Sequence, residues 1–159
     1  MPPAHLNFML WNMETYAANL KEHEKKYTQA ELTILRTGQP YTPELTNKLV
    51  DNILDLAEAF SAAHGAPKPP LLRLPNAYIF RFAICAHILT LKRIANGGAP
   101  GGNPANFRND SIDASFAAFA TYFDGLLTED AKPIDVHRNA RFLVKYFFTQ
   151  IRNESARPA

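Results

Sequence analysis

The sequence predicts an α/β fold that is predominantly helical, with one short strand near the carboxyl end. Apolar residues recur at three- and four-residue spacing over most of the chain, which is typical of helices that bury one face. The run FDGLLT at residues 123–128 breaks this spacing and has the character of a buried strand. With 159 residues, of which 47% are hydrophobic, the chain is long enough to build one core. We therefore expect a single domain over residues 1–159.

Five helical stretches are predicted, at residues 6–36, 42–65, 76–98, 109–122 and 134–151. In the second stretch, Thr42 is suited to the N-cap, Pro43 to the first turn, and Gly65 to the position after the last turn. The third is apolar on most of its faces, which predicts a central and heavily buried helix. The prolines between residues 66 and 75 predict a loop without regular structure.

Several side chains inside these stretches have two interpretations. Arg81 interrupts the apolar third stretch, so it needs either an acidic partner or a position at the rim of the core. His87 on the same helix is interpreted as a core histidine with a hydrogen-bond partner. Four aromatic residues are predicted to lie in the core, with a platform for stacked nucleic-acid bases as the alternative: Phe116, Phe119, Tyr122 and Phe123.

Composition excludes several classes of protein. The formal net charge of +2 argues against a protein that coats nucleic acid, although it leaves a local basic groove open. The lone Cys85 cannot close an internal disulfide. The sequence shows no signal peptide and no apolar run of the roughly 20 residues that span a bilayer. These features predict a cytoplasmic protein that does not enter membranes.

Five carboxylates fall within residues 109–130, beside an apolar stretch. Asp110 and Asp113 are three residues apart at the start of a predicted helix, so their side chains share one face. Asp130 follows the predicted strand, where side chains of α/β domains face a ligand crevice. One interpretation is helix capping and solvation. The other is a site for Mg²⁺ or Mn²⁺, which take oxygen ligands and activate water for attack on phosphodiesters.

The pattern N-D-x-x-D followed by A-T-Y-F-D-G-L-L-T-E-D, from Asn109 to Asp130, resembles the C-terminal half of PIN-like nuclease domains. The stretch LPNAYIFRFAICAHILTLKRIANGG at residues 74–98 resembles the helix that precedes this motif, and the resemblance covers residues 71–146. It implies a three-layer fold with a small parallel sheet. The first strand of that family carries an essential aspartate, and no aspartate here precedes Asp51. The expectation is therefore an incomplete, N-terminally truncated PIN-like domain.

The resemblance also implies an activity. Many PIN-like proteins are toxins or defence proteins, and the family comprises metal-dependent ribonucleases. Asp110, Asp113 and Asp130 are expected to bind Mg²⁺ or Mn²⁺ in an endoribonuclease. Three basic residues are expected to contact the RNA backbone, namely Lys132, Arg138 and Arg141.

Two alternatives stay open beside the nuclease. One is a catalytically inactive PIN-like remnant that binds a protein or regulates it, with a second copy of the chain or an inhibitory protein as partner. The other is a purely helical scaffold in which FDGLLT is a buried loop.

Overall fold

The computed structural model describes residues 22–37, 39–97 and 104–156, and every regular element within them is a helix. Five are α-helices, labelled in chain order as α1 (Gln29–Thr37), α2 (Pro43–Ala63), α3 (Tyr78–Ala95), α4 (Pro104–Ala120) and α5 (Ala131–Ser155). A short 3₁₀ helix, Leu71–Asn76, precedes α3. No helix among the described residues is long and apolar enough to cross a membrane.

Local sequence chemistry sets the ends of α2. The Thr42 hydroxyl accepts a hydrogen bond from the Leu45 backbone N–H at 3.2 Å, and Pro43 occupies the first turn. Beyond the last turn, Gly65 has a φ of +61°, a left-handed conformation in which a side chain is strained. The predicted second helix is thereby confirmed, and the predicted third and fifth stretches coincide closely with α3 and α5.

The predicted α/β fold is wrong. Residues 121–124 form a turn and residues 125–130 have no regular structure, so FDGLLT is not a strand. Leu127 is fully exposed, so this run is not buried either. A single strand is not stable without a partner, and the described residues offer no second strand for pairing. Over residues 22–37, 39–97 and 104–156, helices and their connections take the place of the three-layer PIN-like architecture with a small parallel sheet.

Smaller corrections concern helix ends. The helix predicted to start at residue 109 already starts at Pro104, and the predicted loop before α3 contains the 3₁₀ helix. Of the predicted helix at 6–36, residues 6–21 lie outside the described part of the chain. Within the described part it is interrupted by a turn at residues 25–27 and resumes as α1.

The core is organised around α3, which packs against all four other α-helices. Eleven of its 18 residues are buried, and Phe80 and Ile84 have no exposed surface. Complete burial of a side chain of this size contributes about 1.5–3 kcal/mol. The prediction of a central helix is confirmed. A smaller apolar cluster joins α3 to α1 and α2 and contains Tyr27, Leu32, Leu45, Leu49, Leu91 and Ile94.

Two polar residues of α3 are buried with partners. Arg81 donates to the backbone carbonyls of Pro75 and Thr121, both at 2.8 Å, and its guanidinium lies 3.8 Å from the centre of the Tyr122 ring. It therefore joins the 3₁₀ helix to the turn after α4 through carbonyls and an aromatic face. His87 is buried with its Nε2 atom 3.5 Å from the Tyr27 hydroxyl. The interpretation of His87 as a core histidine is confirmed.

Candidate functional site

Six charged side chains meet where the end of α3 approaches α4 and the first turns of α5. We call this set the charged cluster: Lys92, Arg93, Asp110, Asp113, Lys132 and Asp135. The two basic residues of α3 lie in its last turn, where cations interact favourably with the helix dipole. Lys132 and Asp135 lie in the first turns of α5, so three helices contribute to the cluster.

Asp110 is at the centre of the charged cluster and its side chain is only 8% exposed. Its Oδ2 atom accepts a hydrogen bond from Arg93 Nε, and its Oδ1 atom accepts one from Lys132 Nζ. Both carboxylate oxygens of this buried side chain are thus paired with cations. A buried charge of this kind is tolerable only when it is paired, so Asp110 is a counter-ion shared by α3 and α5.

Lys132 brings the two helix aspartates together. Its Nζ atom lies 2.8 Å from Asp113 Oδ2 while it also donates to Asp110. Partial burial acts to lower the pKa of Lys132, but hydrogen bonds to Asp110 and Asp113 outweigh burial and raise this pKa above its ordinary value. Lys132 is therefore charged at neutral pH. The three-residue spacing of the two aspartates does place them on one face, and that face meets a lysine.

Asp130 has a different place. It directly precedes α5, and its Oδ1 atom accepts a hydrogen bond from the Lys132 backbone N–H at 3.0 Å. The Asp130 backbone N–H donates to Thr128 Oγ1 at 3.2 Å. These contacts are those of a helix N-cap. Among the described residues, no three His, Cys, Asp or Glu side chains form a group that suits a metal ion.

The three predicted phosphate contacts are separated. Lys132 belongs to the charged cluster, whereas Arg138 is an exposed residue further along α5. Arg141 donates from Nη1 to the backbone carbonyl of Asp124 at 3.1 Å, in the turn after α4. The turn that Arg141 contacts follows the end of α4, which is ten residues and about 15 Å along the helix from Asp110. Arg141 therefore stabilises this turn and is not part of the charged cluster.

An open cavity of about 480 Å³ lies beside the charged cluster, within the size range of small-molecule sites. Its polar lining consists of Lys92, Arg93, Asn96, Asn109, Asp110 and Lys132. Three cations thus face one carboxylate, and that carboxylate is the buried Asp110. Lys92 and Lys132 are far more open to solvent, with side chains 39% and 40% exposed. The lining itself therefore carries more positive than negative charge, while Asp113 and Asp135, just outside it, bring the charged cluster as a whole to zero net charge.

Sequence reasoning missed half of this site. The sequence predicts no ligand-binding role for Lys92, Arg93, Asn96, Asn109 or Asp135. The available indication was the basic pair itself. Nothing local links that pair to Asp110, which is 17 residues from Arg93 in sequence.

Comparisons with protein-family models, with curated proteins and with solved structures gave no match to this chain. The resemblance to PIN-like nucleases thus depends on its short motif alone. In the structure that motif forms a helix, a turn and an irregular segment.

Proposed function

We propose that the chain is a binding domain whose cavity beside the charged cluster takes a phosphate-bearing ligand. The observation that carries this proposal is the composition of the cavity wall, where three cations face a single buried carboxylate. Asp113 and Asp135 pair with Lys132 and Lys92 from outside the lining, so an anion in the cavity meets the cations at shorter range than these two carboxylates. An anion in the cavity meets mostly ammonium and guanidinium groups.

The cavity offers a phosphate-bearing ligand both charged and neutral hydrogen-bond donors. An ammonium group has three N–H donors, and Asp110 and Asp113 accept from Lys132 at two of them. Lys92 is paired with Asp135 in a half-exposed ion pair, which is weak and can exchange partners. The side-chain amides of Asn96 and Asn109 add neutral donors. Phosphate, with several strong acceptor oxygens, can use donors that converge from different directions.

Backbone dipoles act on this cavity in opposite senses. The carboxyl end of α3 carries partial negative charge, which disfavours an anion, but Lys92 and Arg93 lie in its last turn and offset that charge. The amino end of α5, which carries Lys132, favours an anion, and there the Asp130 carboxylate already accepts a backbone N–H. The two dipoles therefore oppose each other at the cavity, and the side chains that line it decide whether an anion binds.

The test is isothermal titration of inorganic pyrophosphate in buffer containing EDTA. The informative variant is Lys92→Gln, because this residue belongs to an exposed pair and its loss leaves the buried Asp110 contacts in place. We expect the affinity for pyrophosphate to fall about tenfold, which corresponds to about 1.4 kcal/mol. The matched control is Lys68→Gln, whose exposed pair with Glu58 is not in the charged cluster. Equal affinities in the two variants, or no binding by the parent, refute the proposal.

A second titration distinguishes the sources of phosphate. The probe in this titration is a short oligouridylate, which carries its phosphate groups along an RNA backbone. Binding of both probes with the same loss in Lys92→Gln supports an RNA phosphate as the ligand. Binding of pyrophosphate alone supports a small phosphorylated molecule.

The metal-dependent ribonuclease is a second candidate, because Asp110 and Asp113 do converge on one cation, the ammonium of Lys132. A divalent ion would have to displace this charged lysine and recruit a third ligand. The described residues do not fit Mg²⁺ or Mn²⁺ in their present arrangement, and we derive no catalytic step through either ion. The test of this candidate is titration of Mn²⁺ into the parent and into Asp130→Asn. Asparagine also caps helices well, so this variant removes a carboxylate and keeps the N-cap of α5. Binding that is lost in the variant supports the nuclease, and no binding in either protein rejects it.

A further inference from the structure

The outward side of α4 is apolar and largely exposed. Large side chains lie at positions 112, 116, 119 and 123, a spacing that forms one stripe along a helix. The backbone N–H groups of Tyr122 and Phe123 donate to Phe119 and Ala120 carbonyls, so the helical path extends one turn beyond Ala120. The aromatic face is defined as Ile112, Phe116, Phe119 and Phe123, with exposures of 43%, 62%, 57% and 67%.

This arrangement reverses the usual order of an amphipathic helix. From residue 111 onward, the buried residues of α4 are Ala114, Ala117, Ala118 and Ala120, whose small side chains let α4 approach its neighbours closely. The larger apolar residues point to solvent. The prediction that Phe116, Phe119, Tyr122 and Phe123 lie in the core is therefore wrong. Phe119 also packs against the ring of Tyr78, but Phe116 and Phe123 remain 62% and 67% exposed, so contacts among the described residues do not account for these two phenylalanines.

The size of the aromatic face is informative. Phenylalanine side chains bury about 150–250 Å² when fully covered, so four residues exposed to this degree present on the order of 400 Å². Tyr78 extends the face, since its ring centroid lies 4.6 Å from that of Phe119. The total approaches about 500 Å², near the upper end of what monomeric proteins expose as one patch.

We propose that the aromatic face is the interface of a homodimer, in which two α4 helices pack across a twofold axis. A twofold interface uses the same patch twice, so it buries about 1,000 Å² of apolar surface in total, which is the lower bound for a specific interface. Antiparallel packing around that axis keeps the like ends of the two helix dipoles apart. It also places phenylalanines of one copy against those of the other, in contacts that aromatic rings favour.

Charge permits this pairing. Asp113 is the one charged residue between positions 111 and 123, and Lys132 already neutralises it. Two copies therefore meet without repulsion between like charges. A foreign partner would need its own apolar helix, whereas the second copy supplies a matching surface by symmetry. At the lower bound of interface area we expect a weak dimer, with a dissociation constant on the order of 10 μM.

The test is sedimentation equilibrium over protein concentrations on either side of that constant. The double variant Phe116→Ser with Phe119→Ser should weaken dimerisation by about 30-fold or more, as expected for central aromatic anchors. Phe142→Ser is the matched control, because Phe142 is an equally exposed phenylalanine on α5 at 69% exposure. It should dimerise like the parent.

A second variant guards against loss of folding. Phe116→Lys brings lysines of the two copies into one interface, and the exposed position allows the monomer to keep the helical circular dichroism of the parent. A folded, monomeric Phe116→Lys protein supports the inference. A parent that stays monomeric at high concentration overturns it, as does a Phe142→Ser variant that weakens dimerisation as much as the double variant. Phosphate binding is tested independently, because none of the residues substituted here lines the cavity.

Discussion

Replacing Asp110 with asparagine removes the central negative charge of the charged cluster while keeping the shape of the side chain. Arg93 and Lys132 then face a neutral amide, whose NH₂ group is itself a donor. Removing one partner of a fully buried pair costs about 3–5 kcal/mol. Arg93 and Lys132 are 20% and 40% exposed, so water compensates part of this loss. We expect Asp110→Asn to lower the free energy of unfolding by about 2–3 kcal/mol.

The assay is urea unfolding at neutral pH in EDTA, followed by far-UV circular dichroism. The matched control is Asp135→Asn, which breaks a more exposed pair with Lys92 in the same cluster and should cost less than about 1 kcal/mol. The assay also discriminates between the two roles considered for Asp110. In an empty metal site, neighbouring carboxylates repel one another, so removing one of them stabilises the protein. An Asp110→Asn variant as stable as the parent, or more stable, refutes its role as a structural counter-ion.

Three further predictions concern stability. Burial, followed by the nearby charges of His23 and Lys26, lowers the pKa of His87 from 6.5 to about 3. The unfolded chain takes up this proton and the folded chain does not, so stability is complete above pH 6.5 and falls as the pH drops toward 3. Relative to about pH 7, the loss from His87 at about pH 5 is about 2 kcal/mol, so urea titrations at these two pH values should show a smaller loss in His87→Gln than in the parent; equal losses refute the prediction. Thr42→Ala should cost about 1 kcal/mol through the lost N-cap of α2, while Thr42→Ser should cost little; equal costs in urea unfolding contradict the cap. Gly65→Ala should cost about 1 kcal/mol because of its left-handed backbone, whereas Gly125→Ala, without a positive φ, should be near neutral in the same assay.

The helices could be predicted because their determinants are local. The N-cap at Thr42, the left-handed Gly65 and the apolar spacing of α3 each act within a few residues. The prediction of a strand at FDGLLT is wrong because a short apolar run has no periodicity that distinguishes a strand from an irregular connection. A strand also requires a partner elsewhere in the chain, and a local pattern contains no information about one.

Burial was harder to predict than helix content. The stripe of Phe116 and Phe119 and the set of alanines opposite it are both apolar, so the sequence alone does not say which side of α4 faces the core. The partners in the charged cluster were equally hard to predict. Spacing places Asp110 and Asp113 on one face, but the cations that pair with them come from α3 and α5, which are distant in sequence and meet α4 only in the folded chain.

The most direct test of the phosphate site is a ¹H–¹⁵N correlation spectrum recorded during titration with pyrophosphate. Binding at the cavity predicts shifts confined to the end of α3, the segment around Asn109 and the first turn of α5, including Asn96 and Lys132. A parallel sample titrated with Mn²⁺ should show no selective broadening at Asp110 or Asp113. Pyrophosphate shifts spread elsewhere would contradict a cation-lined phosphate site, and Mn²⁺ broadening centred on these two aspartates would restore the metal-dependent alternative.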